Sequence, residues 1–214
     1  EGQQKLLQAK VAVIGAGGLG GTIIELLARL GVGYIRVVDG DCFAAHNLNR
    51  QLLAEEHNLG GNKAEAAATR VRNINSEVIV EPHPVMLDES NAHELLAGVD
   101  IVVDALDNIK TRRLLAAAAE NNGLPLVHAA IAGLTGQVMT ILPGDRSFKR
   151  LYNDQAPERG VELTLGNPAP TPALAATLQV GEVMKLITGK GELLRNKMLY
   201  FDLEFNIFQL IDFG

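Results

Sequence analysis

Apolar residues along this chain alternate between short solid runs and helical stripes. Residues 11–14 (Val-Ala-Val-Ile) carry no polar interruption, which predicts a strand buried on both faces. Residues 18–30 follow with Leu19, Ile23, Leu26, Leu27 and Leu30 at three- and four-residue spacings, the stripe of an amphipathic helix. The alternation continues with a strand over 34–39 that closes on Asp39, then a helix over 63–74 striped by Ala64, Ala67, Val71 and Ile74. Next come a strand over 77–81, a short helix over 91–97, a strand over 100–106, an alanine-rich helix over 111–121 and a strand over 126–130. Between the second strand and the second helix, residues 40–62 are polar and show no clear period. This rhythm predicts an α/β fold: a Rossmann-like parallel sheet with right-handed crossovers and helices on both faces.

Beyond residue 130 the rhythm changes. Residues 137–142 read as a strand, 145–172 have little regular pattern and hold four of the eight prolines, and 172–187 return to helix. The tail KMLYFDLEFNIFQLIDF reads as two strands joined at Glu204-Phe205-Asn206, a hairpin. The expected sheet is therefore mixed, parallel in its N-terminal half with antiparallel strands at the C-terminal edge. One domain is expected over residues 1–214, a length sufficient for a single core.

Composition narrows the function. A formal charge of −6 without a basic stripe argues against a nucleic-acid partner. No apolar run is long enough to cross a bilayer, and no signal-peptide pattern opens the chain, so a cytoplasmic protein is expected. Cys42 is the only cysteine, which excludes an internal disulfide and a cysteine zinc cluster.

Open parallel sheets bind ligands beyond the carboxyl ends of their strands. Three segments should meet there. The first, Gly15-Ala16-Gly17-Gly18-Leu19-Gly20, is a glycine turn between a strand and a helix, where backbone amides and the helix dipole attract phosphate. The second carries Asp39, placed to hydrogen-bond ribose hydroxyls, which NAD and ATP both possess; a solvated strand-end acid is the alternative. The third carries Asp107, either a helix N-cap or one carboxylate for Mg²⁺ alongside substrate phosphates.

The polar segment adds Asn47, Arg50 and Gln51, and Gly61-Asn62-Lys63 opens the next helix. Asn62 with Glu65 fits a capping box, which puts Lys63 at the first helical position. A cation there opposes the helix dipole by roughly 0.3–1 kcal/mol. An incoming anion reverses the conflict, and a triphosphate suits it better than a dinucleotide already held at the glycine turn; a lysine bent into solvent is the alternative. One carboxylate and two cations around a polyphosphate are equipment for transferring AMP rather than hydride.

Five separated motifs carry a resemblance over almost the whole chain: the glycine turn, Asp39-Gly40-Asp41, Asn47-Leu48-Asn49-Arg50-Gln51, Gly61-Asn62-Lys63 and Asp104-Ala105-Leu106-Asp107-Asn108. In their order and spacing the sequence resembles the MoeB, ThiF and HesA group of ubiquitin-activating-like adenylating enzymes. LVHAAIAGLTGQV and ALAATLQVGEVMKLITGKG are similar to the second half of that group.

The resemblance implies a nucleotide half over about 9–130 and a crossover region with C-terminal strands over about 131–214. It also implies binding of ATP and Mg²⁺, with adenylation of the C-terminal glycine carboxylate of a small ubiquitin-fold sulfur-carrier protein ending in Gly-Gly. Asp39 would bind ribose. Asn47, Arg50 and Lys63 would hold the phosphates with Gln51 beside them, and Asp107 would help hold Mg²⁺. Arg50, Lys63 and Asp107 are thus the expected catalytic residues. Gly15, Gly17, Gly18, Leu19, Gly20, Asp41, Leu106 and Asn108 complete the expected ATP site.

Many members of the group hold zinc with two CxxC pairs, and GDRSFKRLYNDQAPERG stands where the first pair would lie, so no zinc is expected. The crossover region also lacks a cysteine for thioester or persulfide chemistry, which implies a separate sulfur donor. The group further implies a homodimer, in which an N-terminal segment before Glu1 would lend an arginine to the partner's ATP site. The five histidines, His128 among them, show no ligand spacing and are expected to be structural or solvent-facing. The competing readings are an NAD-linked oxidoreductase, a non-catalytic binding module of the same fold, and a relative that modifies tRNA.

Overall fold

The computed structural model describes residues 1–152 and 166–214. In chain order its main elements are α1 (Gly2–Gln8), β1 (Lys10–Ile14), α2 (Gly18–Leu30), β2 (Tyr34–Val38), α3 (Lys63–Ile74), β3 (Ile79–His83), α4 (Ala92–Leu96) and β4 (Ile101–Asp104). After these come α5 (Ile109–Asn121), β5 (Leu126–Ala132), β6 (Thr135–Ile141), α6 (Ser147–Leu151), α7 (Pro170–Thr188), β7 (Lys197–Asp202) and β8 (Ile207–Asp212). One sheet runs β3-β2-β1-β4-β5-β6-β7-β8. β1 to β5 are parallel, and β6, β7 and β8 each pair antiparallel with the strand before. The mixed sheet read from the sequence is the one observed.

Side-chain alternation along β1 divides the interior into two layers. Val11 and Val13 face a core built with α2, α3 and α7, whereas Ala12 and Ile14 face one built with α4, α5 and Phe148 of α6. Helices therefore cover both faces of the sheet. Phe201 of β7 is fully buried and lies over Gly136, where a Cβ would overlap its ring.

α2 and α3 have the predicted bounds. Elsewhere tertiary contacts move the boundaries. The third strand, expected over 77–81, runs over Ile79–His83 and includes Pro82. Proline is tolerated there because β3 is an edge strand. α1, unmarked in the sequence, buries only Leu6 and is held by Lys5 Nζ donating to the Thr188 carbonyl at 3.0 Å. α6 lies within 145–172, which carries little pattern; the remainder of that segment from 153 to 165 falls outside the described residues.

The two helices that border the site are joined by Glu25. Its carboxylate accepts from Arg70 of α3 at 2.7 and 3.1 Å and from Arg29 at 2.8 Å. The Arg70 hydrogen bond is the main cause of a Glu25 pKa below the ordinary carboxylate value. Since the folded value lies below the unfolded one, this stabilisation is present above the ordinary value and is lost as pH falls through the folded one. Glu25→Gln is therefore expected to lower the Tm at pH 7 and to converge with the parent chain in acid, which thermal melts across pH would check. A constant difference at every pH would contradict it.

Candidate active site

β1, β2 and β4 lie side by side, so the segments leaving their carboxyl ends are brought together. Gly15 leaves β1 with φ +100, a conformation that favours glycine. Its N–H donates to the Val38 carbonyl at 2.8 Å, and a Cβ on it would stand 2.5 Å from the Ala105 carbonyl oxygen. Gly17 then caps α2, and a Cβ on Gly20 would overlap the Gly15 carbonyl. At the start of a helix the amides of Gly18, Leu19 and Gly20 have no intrahelical acceptor. The Leu19 side chain is buried in the core, which leaves its backbone amide as the group it can offer a ligand.

Asp39 crosses under this turn. Its Oδ2 accepts from Ala16 N at 2.7 Å and its Oδ1 from Asp41 N at 2.8 Å. Burial pushes its pKa above the ordinary aspartate value, opposed by the two amide hydrogen bonds and by the charge of Lys63. This is a partly desolvated carboxylate held by backbone, not a freely solvated acid.

The aperiodic segment after β2 folds into an ordered loop. Phe43 and Leu53 anchor it in the core, and Phe43 N donates to the Gly61 carbonyl at 2.9 Å. Asn47 is buried and its Oδ1 accepts from Ala44 N at 2.9 Å, so that atom shapes the loop. Gln51 is buried beside the glycine turn, where a Cβ on Gly17 would lie 3.5 Å from its Nε2, and its Oε1 has no partner. The Arg50 backbone carbonyl faces Gly18. The Arg50 guanidinium folds onto its own loop, donating to the His46 carbonyl at 2.9 Å and Asn49 Oδ1 at 2.8 Å.

Lys63 occupies the first position of α3, as expected, and is not bent into solvent. Its side chain is 8% exposed and its Nζ lies 3.0 Å from Oδ2 of Asp41, which is exposed. That carboxylate balances both the ammonium and the positive helix end. Asn62 caps α3 by accepting from Ala64 N and Glu65 N. Its amide nitrogen donates to the carbonyls of Asp39 and Asp41, so this residue ties the loop rather than forming a reciprocal box with Glu65.

The third segment follows β4. Asp107 is exposed and is not the N-cap of α5; that position belongs to Asn108, whose Oδ1 accepts from Thr111 N at 2.8 Å. Asn108 Nδ2 also donates to Asp107 Oδ1 at 3.3 Å. Both backbone groups of Leu106 are engaged, its N with Asp104 Oδ1 at 3.0 Å and its O with Arg112 at 2.5 Å. Asp104, at the head of the same motif, ends β4. It is fully buried, and its Oδ2 lies 2.6 Å from Nδ1 of His128, its register partner on β5.

The turn, the loop and the β4 segment thus surround one mouth of the sheet. The ThiF family model matches residues 1–213. The chain belongs to the ThiF family. A SAMP-activating enzyme E1 of Haloferax volcanii is 42% identical over 205 residues, covering 94% of this chain and 76% of the relative. A sulfur carrier protein ThiS adenylyltransferase of Bacillus subtilis is 36% identical, covering 88% of this chain and 57% of the relative. Among solved structures, PaaA superposes with a TM-score of 0.84 at 25% identity, and MccB of E. coli with 0.83 at 24%. They cover 99% and 100% of this chain and 66% of each neighbour, and the MccB likeness shows the ThiF fold alone. The chain spans less than half the length of the maize relatives named adenylyltransferase and sulfurtransferase MOCS3.

Among the described residues no group of three or more His, Cys, Asp or Glu side chains could hold a metal ion, and Cys42 is exposed. No helix among them is long and apolar enough to cross a membrane.

The tight glycine turn generates a direct test. Gly20→Ala forces its Cβ into the Gly15 carbonyl and is expected to cost on the order of 1–3 kcal/mol, as overpacking does. Urea titration measures this, and an unchanged midpoint would contradict the packing described.

Proposed function

We propose that this chain adenylates the C-terminal carboxylate of a small ubiquitin-like sulfur-carrier protein with ATP. The observation that carries the reading is the Lys63–Asp41 pair. A lysine buried at the positive end of a helix and paired with an exposed carboxylate is a ready anion site. A polyphosphate supplies the negative charge that both the ammonium and the helix end attract. Family membership and the relatives named as adenylyltransferases support the same chemistry.

ATP fits the residues present. The amides of Gly18, Leu19 and Gly20 at the start of α2 have no intrahelical acceptor and would receive phosphate at the positive end of the helix. The unpartnered buried Gln51 Oε1 marks an amide whose orientation would be set by a ligand. Asp39 would accept from ribose hydroxyls. Lys63 would leave Asp41 for the phosphates, and Arg50 would unfold from the His46 carbonyl to join it. Asn47, Asp41, Leu106 and Asn108 would line the pocket, the last two flanking Asp107. Asp107 is the residue to hold Mg²⁺, which prefers oxygen ligands shared with substrate phosphates and would neutralise charge on the departing pyrophosphate.

In the reaction a carboxylate oxygen of the carrier's terminal glycine attacks the α-phosphorus. The bond from that phosphorus to the bridging α–β oxygen breaks, and pyrophosphate leaves with the electron pair. No proton or covalent protein intermediate is required. Catalysis is positioning together with stabilisation of charge on phosphate by Lys63 and Arg50. Cys42 is the only cysteine, so sulfur would come from a separate donor. A homodimer working in the cytoplasm, without zinc, completes the proposal.

The test is pyrophosphate–ATP exchange with Mg²⁺ and carriers ending in Gly-Gly. Lys63→Ala or Arg50→Ala should lower kcat about 10²–10³-fold, or roughly 3–4 kcal/mol, the cost of one preorganised donor. Asp107→Ala should abolish exchange. Full exchange in Asp107→Ala would overturn the metal assignment, and binding of NAD without ATP would overturn the reading.

A further inference from the structure

Behind the Asp107 segment lies a polar chain that the proposed chemistry does not use. Asp104 and His128 are fully buried neighbours on β4 and β5. His128 Nδ1 is 2.6 Å from Asp104 Oδ2, and its Nε2 is 3.2 Å from the Tyr152 hydroxyl. Tyr152 in turn accepts from Arg112 Nη1 and Gln137 Nε2, each at 3.3 Å. Phe148 and Tyr152 wall the imidazole with edge-on rings at 5.4 Å.

The donor inventory fixes the directions in this chain. Arg112 Nη1 and Gln137 Nε2 are donors only, so the Tyr152 oxygen accepts from both and its proton points to His128 Nε2. The imidazole then donates from Nδ1 to Asp104. Burial holds the His128 pKa below its ordinary value, in keeping with that neutral tautomer. The other Asp104 oxygen accepts from Leu106 N, while Arg112 Nη2 donates to the Leu106 carbonyl. Both backbone groups of the residue before Asp107 are thereby tied to one buried network.

We propose that His128, through Asp104, is a positioning residue that fixes the Leu106–Asp107 backbone, so that the Asp107 carboxylate meets Mg²⁺ and the phosphates preorganised. His128 touches neither substrate nor metal. Its effect is on how well the metal-holding carboxylate is aimed, and partners that orient a metal ligand typically change metal affinity or activity 10–100-fold. The inference rests on the ATP·Mg²⁺ reading above, but part of its test needs no ligand.

The experiment compares the parent chain with His128→Ala, His128→Asn and His128→Gln. Asn places an N–H where Nδ1 donates; Ala and Gln do not. In the ligand-free protein, amide hydrogen exchange over Leu106 should quicken in the Ala and Gln variants and stay near the parent rate in the Asn variant. With ATP, the Mg²⁺ concentration for half-maximal nucleotide binding and for pyrophosphate exchange should rise about 10–100-fold in Ala and Gln. The KM for the carrier should hold, and Asn should restore the Mg²⁺ requirement. If the Ala variant fails to fold, the Asn–Gln comparison decides.

An unchanged Mg²⁺ requirement and amide exchange rate in folded His128→Ala, or equal behaviour of Asn and Gln, would overturn the inference. A parent chain that binds Mg·ATP but exchanges no pyrophosphate with any carrier would overturn the adenylation reading instead. In that case the binding and amide measurements still judge His128.

Discussion

Gly20 has no room for a side chain because the Gly15 carbonyl lies against it, and Gly15 in turn lies against Ala105. This three-way contact of backbone brings the end of β1, the start of α2 and the end of β4 within van der Waals reach. The rest of the mouth is referred to it. Asp39 is held by Ala16 N inside the same turn, Gln51 packs on Gly17, and Leu106 follows directly from Ala105. Parallel strands make the arrangement possible, since they deliver three loop segments to one end of the sheet.

On that frame the charges are arranged with little slack. Lys63 is buried at a helix N-terminus, where both desolvation and the dipole disfavour a cation, and Asp41 is the partner that offsets the cost. Because Asp41 is exposed and Lys63 is not, the pair is asymmetric: water can take over the carboxylate when an anion takes over the ammonium. Arg50 is similarly parked, on a backbone carbonyl and a neighbouring amide. Arg50 rests on neutral acceptors, and a bond from its guanidinium to an ionised phosphate would be roughly twice as strong as those.

Much of the frame was legible in the residues. The solid run at 11–14, the glycines after it and the stripe of α2 specify a strand, turn and helix; α2 has the expected bounds and β1 starts one residue earlier, at Lys10. Lys63 stood out because it breaks a local rule, and such breaks concentrate at functional sites. What stayed hidden depends on register and tertiary packing. Asp104 and His128 are 24 residues apart and become neighbours only through the parallel pairing of β4 with β5. The Asp41–Lys63 pair depends on how an aperiodic loop returns, which Phe43 and Leu53 decide by burial. The N-cap of α5 went to Asn108 instead of Asp107 by a shift of one residue, and that shift leaves Asp107 exposed for a ligand.

The most direct measurement is a crystal structure of the chain with a non-hydrolysable ATP analogue and Mg²⁺. The expected density has the triphosphate against the glycine turn, Lys63 Nζ moved from Asp41 onto a phosphate oxygen, the Arg50 guanidinium facing the tail and an Asp107 oxygen on the metal. A nucleotide bound elsewhere, or one bound at this mouth with Lys63 still on Asp41 and Asp107 remote from Mg²⁺, would contradict the central claim.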